Sequence, residues 1–127
     1  MAAVAYLDTH VVAWLFAGDA GLLTERARTI LRQNALLISP CVRLELQYLY
    51  EIGRTRAPAR TVARALADSI GLGLCDLSFG RVVEAAERQS WTRDPFDRII
   101  VAQAALAGAP LVTKDRTIQE HYAKSIW

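Results

Sequence analysis

Cysteine, methionine and histidine are scarce in this sequence: two, one and two in 127 residues. Cys41 and Cys75 sit in apolar segments without the paired spacing of a zinc site or a disulfide framework, so they read as reduced, buried thiols. Long apolar runs are missing too. The longest, Val11 to Ala17, is far below the roughly 20 residues that cross a bilayer, and no basic start precedes a signal-like stretch. The expectation is a cytoplasmic chain with no membrane partner. An excess of one charge is also lacking: 15 Lys and Arg against 13 Asp and Glu leave +2, too little to identify a nucleic-acid partner by itself. No polar or low-complexity tract interrupts the chain, so residues 1–127 are expected to form a single domain.

What is present is a globular composition, 53% apolar and 22% charged, in a chain long enough to bury a core. Apolar runs at Ala2 to Leu7, Ala35 to Ile38, Leu72 to Leu77 and Pro110 to Thr113 read as strands. Between them lie helical patterns: one from Val11 to Gly18, a Thr24-capped segment to Gln33, and one opened by Ser39-Pro40 that runs to about Gly53. Further helices are expected around Val62 to Ile70, from Ser78 to about Gln89, from Asp94-Pro95 to near Gly108, and as a turn near Ile118 to Tyr122. Strands alternating with helices, too far apart for hairpins, predict an α/β fold with a central parallel sheet flanked by helices on both faces. Ligands of such sheets bind at the carboxyl ends of the strands.

Four acids stand where core or strand ends should be. Projected at 100° per residue, the Pro40 helix gathers Val42, Leu46, Leu49 and Ile52 into one stripe with Glu45 in its middle. The Pro95 helix does the same with Ile100, Val101, Ala104 and Gly108 around Asp97. Asp8 closes the first strand and Asp115 follows the last. Buried carboxylates need a cation, hydrogen-bond donors or a metal, and an all-oxygen set at this edge suits Mg²⁺ or Mn²⁺. Each acid also has a plainer reading. Asp94 serves as a helix cap, Asp97 as a favourable charge in the first turn, Glu45 as an arginine's partner, and Asp8 and Asp115 as turn residues. The set of four is what points to a metal and to hydrolysis of a phosphodiester by metal-activated water.

The segments Tyr6-Leu7-Asp8-Thr9-His10, Arg43-Leu44-Glu45-Leu46, Arg93-Asp94-Pro95-Phe96-Asp97-Arg98 and Leu111-Val112-Thr113-Lys114-Asp115 resemble, in order and spacing, the successive acidic motifs of PIN domains. Asp-Pro-Phe-Asp-Arg followed by an apolar helix looks like the VapC branch. The resemblance implies a Rossmann-like PIN fold and a magnesium-dependent endoribonuclease acting as the toxin of a type II toxin-antitoxin pair, with RNA as substrate. It also implies homodimerisation and a cognate antitoxin that blocks the site. On the same ground Asp8, Glu45 and Asp97 carry the metal, Asp115 completes the site less uniformly, and Thr9 assists beside the first acid. His10 falls where the family tolerates several residues and reads as helix surface. Three tryptophans in so short a chain agree with an interface.

Arginines supply candidates for RNA contact: Arg54, Arg56, Arg60 and Arg64 as a phosphate-tracking strip, and Arg93 and Arg98 flanking the acids. The main rival from another class is a receiver-like phosphoacceptor signalling domain, which shares the size, the alternation and an acid cluster. Receivers, however, carry adjacent acids after the first strand, where this chain has Asp8-Thr9-His10. A non-catalytic interaction domain with arginine-paired acids is a third reading. A metal-free nuclease using His10 and His121 is a fourth, separable by a chelator.

Overall fold

The computed structural model describes residues 3–127, so Ala2 of the expected first strand lies outside the described residues. The order is β1 (Val4–Leu7), α1 (Thr9–Ala17), a single 3-10 turn (Ala20–Leu22), α2 (Glu25–Gln33), β2 (Ala35–Ile38), α3 (Pro40–Glu51), α4 (Ala59–Ile70) and β3 (Gly73–Leu74). Then follow α5 (Phe79–Glu87), α6 (Pro95–Ala107), β4 (Leu111–Val112), α7 (Arg116–His121) and β5 (Ser125–Ile126).

All strand pairs are parallel and the sheet order is β3-β2-β1-β4-β5. Ala5, Tyr6 and Leu7 of β1 and both residues of β4 are buried. Successive strand residues point to opposite faces, so burial of them all means that helices cover the sheet on both sides. The chain winds outward from β1 through β2 to β3, then crosses back to lay β4 on the other flank of β1. The switch point between β1 and β4 is where such sheets open a crevice for ligands.

Helix boundaries follow local chemistry. Thr24 accepts a hydrogen bond from the Ala27 amide at the start of α2, and Ser39 accepts one from Cys41 ahead of Pro40. Gly18 and Gly108 end α1 and α6 in the left-handed conformation, with φ of 78° and 64°. Gly108 is therefore a solvent-exposed cap and not part of a buried stripe. On α3 the stripe holds at Val42 and Leu46 but fails at Ile52, which is exposed past the helix end. In α6 five consecutive residues, Ile100 to Ala104, are buried, because α5 packs its Ala85 and Ala86 against Ala102 on the side away from the main core. Two expectations change at the sheet margins. The strand placed at Leu72 to Leu77 shrinks to Gly73–Leu74, and the tail forms β5 beside β4.

Candidate active site at the strand ends

The register that pairs Leu7 with Val112 sets the next residues, Asp8 and Thr113, side by side at the switch point. Asp8 is 6% exposed, and Thr9 and Thr113 are fully buried. The Thr9 amide donates to Asp8 Oδ1 at 2.8 Å and the Thr113 hydroxyl donates to Asp8 Oδ2 at 2.7 Å. Thr113 Oγ1 in turn accepts from the Asp115 amide at 3.0 Å. The Thr9 hydroxyl donates to Glu45 Oε1, reaching from the start of α1 to the second turn of α3. A hydrogen-bonded line therefore runs from Asp115 through Thr113, Asp8 and Thr9 to Glu45. Sequence reasoning missed Thr113. Its signal was its place beside the first strand's acid once β1 and β4 are paired.

The electrostatics separate these acids from ordinary surface carboxylates. Burial lifts Asp8 above its usual range; the Thr113 and Thr9 hydrogen bonds and the charge of His10 pull it back, and Asp115 adds repulsion. Glu45 is likewise raised by burial, lowered by Thr9, and raised by Asp8 and Asp94. Asp97 is pushed up to about 7 by burial and then by Asp94, Asp8, Asp115 and Glu45, with nothing pulling it back. Burial and the nearby Glu45, Asp94 and Asp97 also push the Cys41 thiol up to about 11, so it stays protonated and inert.

The acids are thus within electrostatic reach of one another. They do not form a closed cage: among the described residues, no three His, Cys, Asp or Glu side chains converge tightly enough to hold an ion between them. Asp115 is the outlier. It is exposed and caps α7, its Oδ1 accepting from the amides of Thr117 and Ile118. Asp94 caps α6 through the amides of Phe96 and Asp97.

The arginine-partner reading of these acids is not what the structure shows. Among the described residues the ion pairs are Arg28 and Arg32 with Glu25, on the surface of α2. Arg93 and Arg98 turn to backbone carbonyls of the 90–92 segment. The expected arginine strip divides: Arg54 and Arg56 line a cavity beside α1, whereas Arg60 and Arg64 line a depression with Arg43 across α4. His121 stacks on Trp91 with ring centroids 5.0 Å apart, and its Nδ1 contacts the Thr117 carbonyl oxygen. Cys41 and Cys75 are free thiols, half-buried and buried.

Comparison with known proteins agrees with this geometry. The PIN-domain family model matches residues 5–124. Ribonuclease VapC22 of Mycobacterium tuberculosis is 30% identical over 118 residues, covering 91% of this chain and 89% of the relative. Two solved structures share the fold at low identity. One is VapBC2 from Rickettsia felis bound to a DNA fragment from their promoter, with TM-score 0.61, 19% identity, and 97% of this chain and 96% of that one covered. The other is a toxin-antitoxin complex from Klebsiella pneumoniae, with TM-score 0.63, 18% identity and the same coverage. With a family match over nearly the whole chain and a lone acid, not an adjacent pair, after β1, the receiver-like alternative falls away; the chain belongs to the PIN-domain family, in its VapC branch.

Proposed function

We propose that this protein is a divalent-metal-dependent endoribonuclease and the toxin of a toxin-antitoxin pair. The observation that carries the reading is the group of carboxyls Asp8, which is buried, and Glu45 and Asp97, which are half-buried. All are lifted by burial and by neighbouring acids, Glu45 and Asp97 both feel the charge of Asp8, and among the described residues none is paired with an arginine. Such a set is costly unless a cation joins it.

The residues fit Mg²⁺ or Mn²⁺. Every donor is oxygen, and magnesium keeps most of its water while using one or two carboxylates plus substrate phosphate, so an open acidic edge suits it better than a closed cage. Asp8, Glu45 and Asp97 would hold the ion, with the free oxygen of Asp115 completing the set. When bound, the ion neutralises the phosphate and lowers the pKa of a water. The chain's own part is positional. Thr113 and the Thr9 amide fix the Asp8 carboxylate, and the Thr9 hydroxyl fixes Glu45, before any ligand arrives. The raised carboxyls must release protons to take the ion, so metal affinity should rise with pH, for Asp97 as the pH passes through about 7.

The test is cleavage of an RNA panel with a DNA control. Magnesium should support cutting of RNA, excess EDTA should stop it, and Asp97→Asn should lose it. Cleavage that persists in EDTA would sink the metal reading. The cognate antitoxin is drawn from the toxin-antitoxin complexes among the structural neighbours. A cytoplasmic location goes with the same reading; among the described residues no helix is long and apolar enough to cross a membrane.

The homodimer also belongs to this proposal, though not through the tryptophans: Trp14 packs on Trp127, and Trp91 on His121. Support comes from Phe79 and Leu44, 74% and 62% exposed, which rim a depression where the Gln103 side-chain oxygen is buried without a hydrogen-bond partner. Light scattering should give about twice the chain mass of 14.0 kDa, and Phe79→Glu should return it to the monomer value.

A further inference from the structure

Next to the acidic edge, α1, α3, α4 and the 53–58 connection surround a cavity of about 700 Å³, within the usual range of ligand pockets. Gly53, with φ of 79°, turns the chain sharply after α3 so that the connection folds back toward α1. The lining that matters is His10, Trp14, Asp19, Arg54, Thr55 and Arg56. Arg54 and Arg56 are exposed and form no ion pair among the described residues, and the Thr55 hydroxyl is buried without a partner. Trp14 forms part of the aromatic wall of the cavity. Its ring lies 6.2 Å from that of His10 and 5.8 Å from that of Trp127, and the Lys114 ammonium rests 5.8 Å from its centroid. His10 follows Asp8 by two residues and Lys114 immediately precedes Asp115. His10 lines the cavity and also lies within electrostatic reach of Asp8 and Glu45, so the cavity adjoins the proposed site there.

We propose that this cavity is a nucleotide subsite, holding a base next to the scissile phosphodiester against Trp14 and His10 and the adjoining phosphate on Arg54 and Arg56. The inference rests on the nuclease reading above. A cluster of carboxylates repels the polyanion it must cut, so a strand needs cations close to the site to bring it in. Two guanidiniums without carboxylate partners, facing one Asp19, provide that charge. An aromatic face beside them offers stacking, which every base can use and which tolerates sequence variation. The unpartnered Thr55 hydroxyl supplies a polar contact that a purely apolar peptide side chain would leave unmet. Arg60 and Arg64 lie across α4 and are not part of this subsite.

The test uses the full chain carrying Asp97→Asn, in EDTA, with a labelled octaribonucleotide followed by anisotropy and by tryptophan emission. RNA should quench the emission, and Trp14→Phe should remove most of that quench. Arg54→Ala with Arg56→Ala should weaken binding about tenfold or more and flatten its salt dependence. The same charge removed at Arg26 and Arg88 should change affinity far less. Equal affinity and quenching in all variants would overturn the subsite and leave the cavity to a protein partner. Failure of this inference and of the nuclease reading are separable in magnesium with Asp97 restored. Cleavage by the Arg54→Ala, Arg56→Ala chain at unchanged KM overturns the subsite alone. Trp14-dependent binding with no cleavage by any chain overturns the nuclease reading alone.

Discussion

At the end of β1, each oxygen of the Asp8 carboxylate has its own donor, one from the Thr9 backbone and one from the Thr113 hydroxyl. At the start of α6, Asp97 is also drawn into the protein, but among the described residues no group donates to its side chain and the nearest charges are other acids. The two carboxyls share an edge and differ in what compensates them. Hydrogen bonds to the ionised form offset burial only in part at Asp8, which still stands above its usual range; at Asp97 nothing offsets it, and the carboxyl rises to about 7. The strand side of the site is assembled in advance, and the helix side stores the repulsion that a cation would relieve.

Removing the donor on the strand side should lower cleavage and stability together. Thr113→Val keeps the shape in a fully buried position but leaves Asp8 Oδ2 without its hydrogen bond. Groups that orient a ligand from behind it typically cost 10–100-fold when lost, and we expect roughly that reduction in RNA cleavage. Thermal melts in EDTA should fall as well, by about 2 kcal/mol, the usual worth of a hydrogen bond to a charged group. Unchanged cleavage would show that the Asp8 orientation is held by the Thr9 amide alone.

On the helix side the stability effect has the opposite sign. Asp97→Asn removes one charge from the cluster, so in EDTA near pH 7.5 the variant should melt above the parent by about 5 °C, corresponding to on the order of 2 kcal/mol. The pH dependence follows from the raised carboxyl. Between its ordinary value and about 7 the folded protein holds a proton that the unfolded chain has lost. Stability from this group is therefore full at low pH and declines as pH rises from roughly 4 through 7. Asp97→Asn should flatten that decline. Excess magnesium should reverse the order of the two proteins, since it binds the folded parent and gains less from the variant. A variant that melts lower in EDTA, with magnesium shifting neither chain, would make Asp97 a first-turn helix charge and no more.

The same contrast accounts for what the sequence disclosed. Glu45 and Asp97 were visible because a carboxylate on an apolar helix stripe breaks a period of 3.6, and helix boundaries were visible because Thr24, Ser39-Pro40, Gly18 and Gly108 act locally. Thr113 was not, because a threonine inside an apolar strand breaks no pattern; its role arises only when β1 and β4 become neighbours across more than a hundred residues. β5 escaped for a related reason. A two-residue strand carries no periodicity, and Ser125–Ile126 pairs because Leu111 and Val112 offer it an edge. Local chemistry can be read residue by residue, whereas contacts between distant strand ends require the topology first. The cavity linings also divide the arginine strip, since spacing along the chain did not reveal that Arg54 and Arg56 line a different depression from Arg60 and Arg64.

The smallest effect, and the finest division of the helix side, concerns Asp94. It caps α6 by accepting from the Phe96 and Asp97 amides at 2.8 and 3.3 Å, and its charge is the foremost acidic contribution to the raised Asp97 carboxyl. The two roles act in opposite directions on the metal-free protein. Asn is as good a cap as Asp, so Asp94→Asn keeps the helix start while removing the repulsion; it should leave the EDTA melt at pH 7.5 unchanged or slightly higher and bring the Asp97 carboxyl down from about 7. Asp94→Ala removes the cap as well, at a cost of about 1 kcal/mol, and should melt below Asp94→Asn by that amount while lowering the Asp97 carboxyl to a similar extent. Carboxyl-carbon NMR titration of Asp97 in the three chains, set beside their melts, separates charge from capping. If both variants leave the Asp97 titration where it is in the parent, Asp94 is a cap alone, and the charge stored on the helix side comes from Asp8, Asp115 and Glu45.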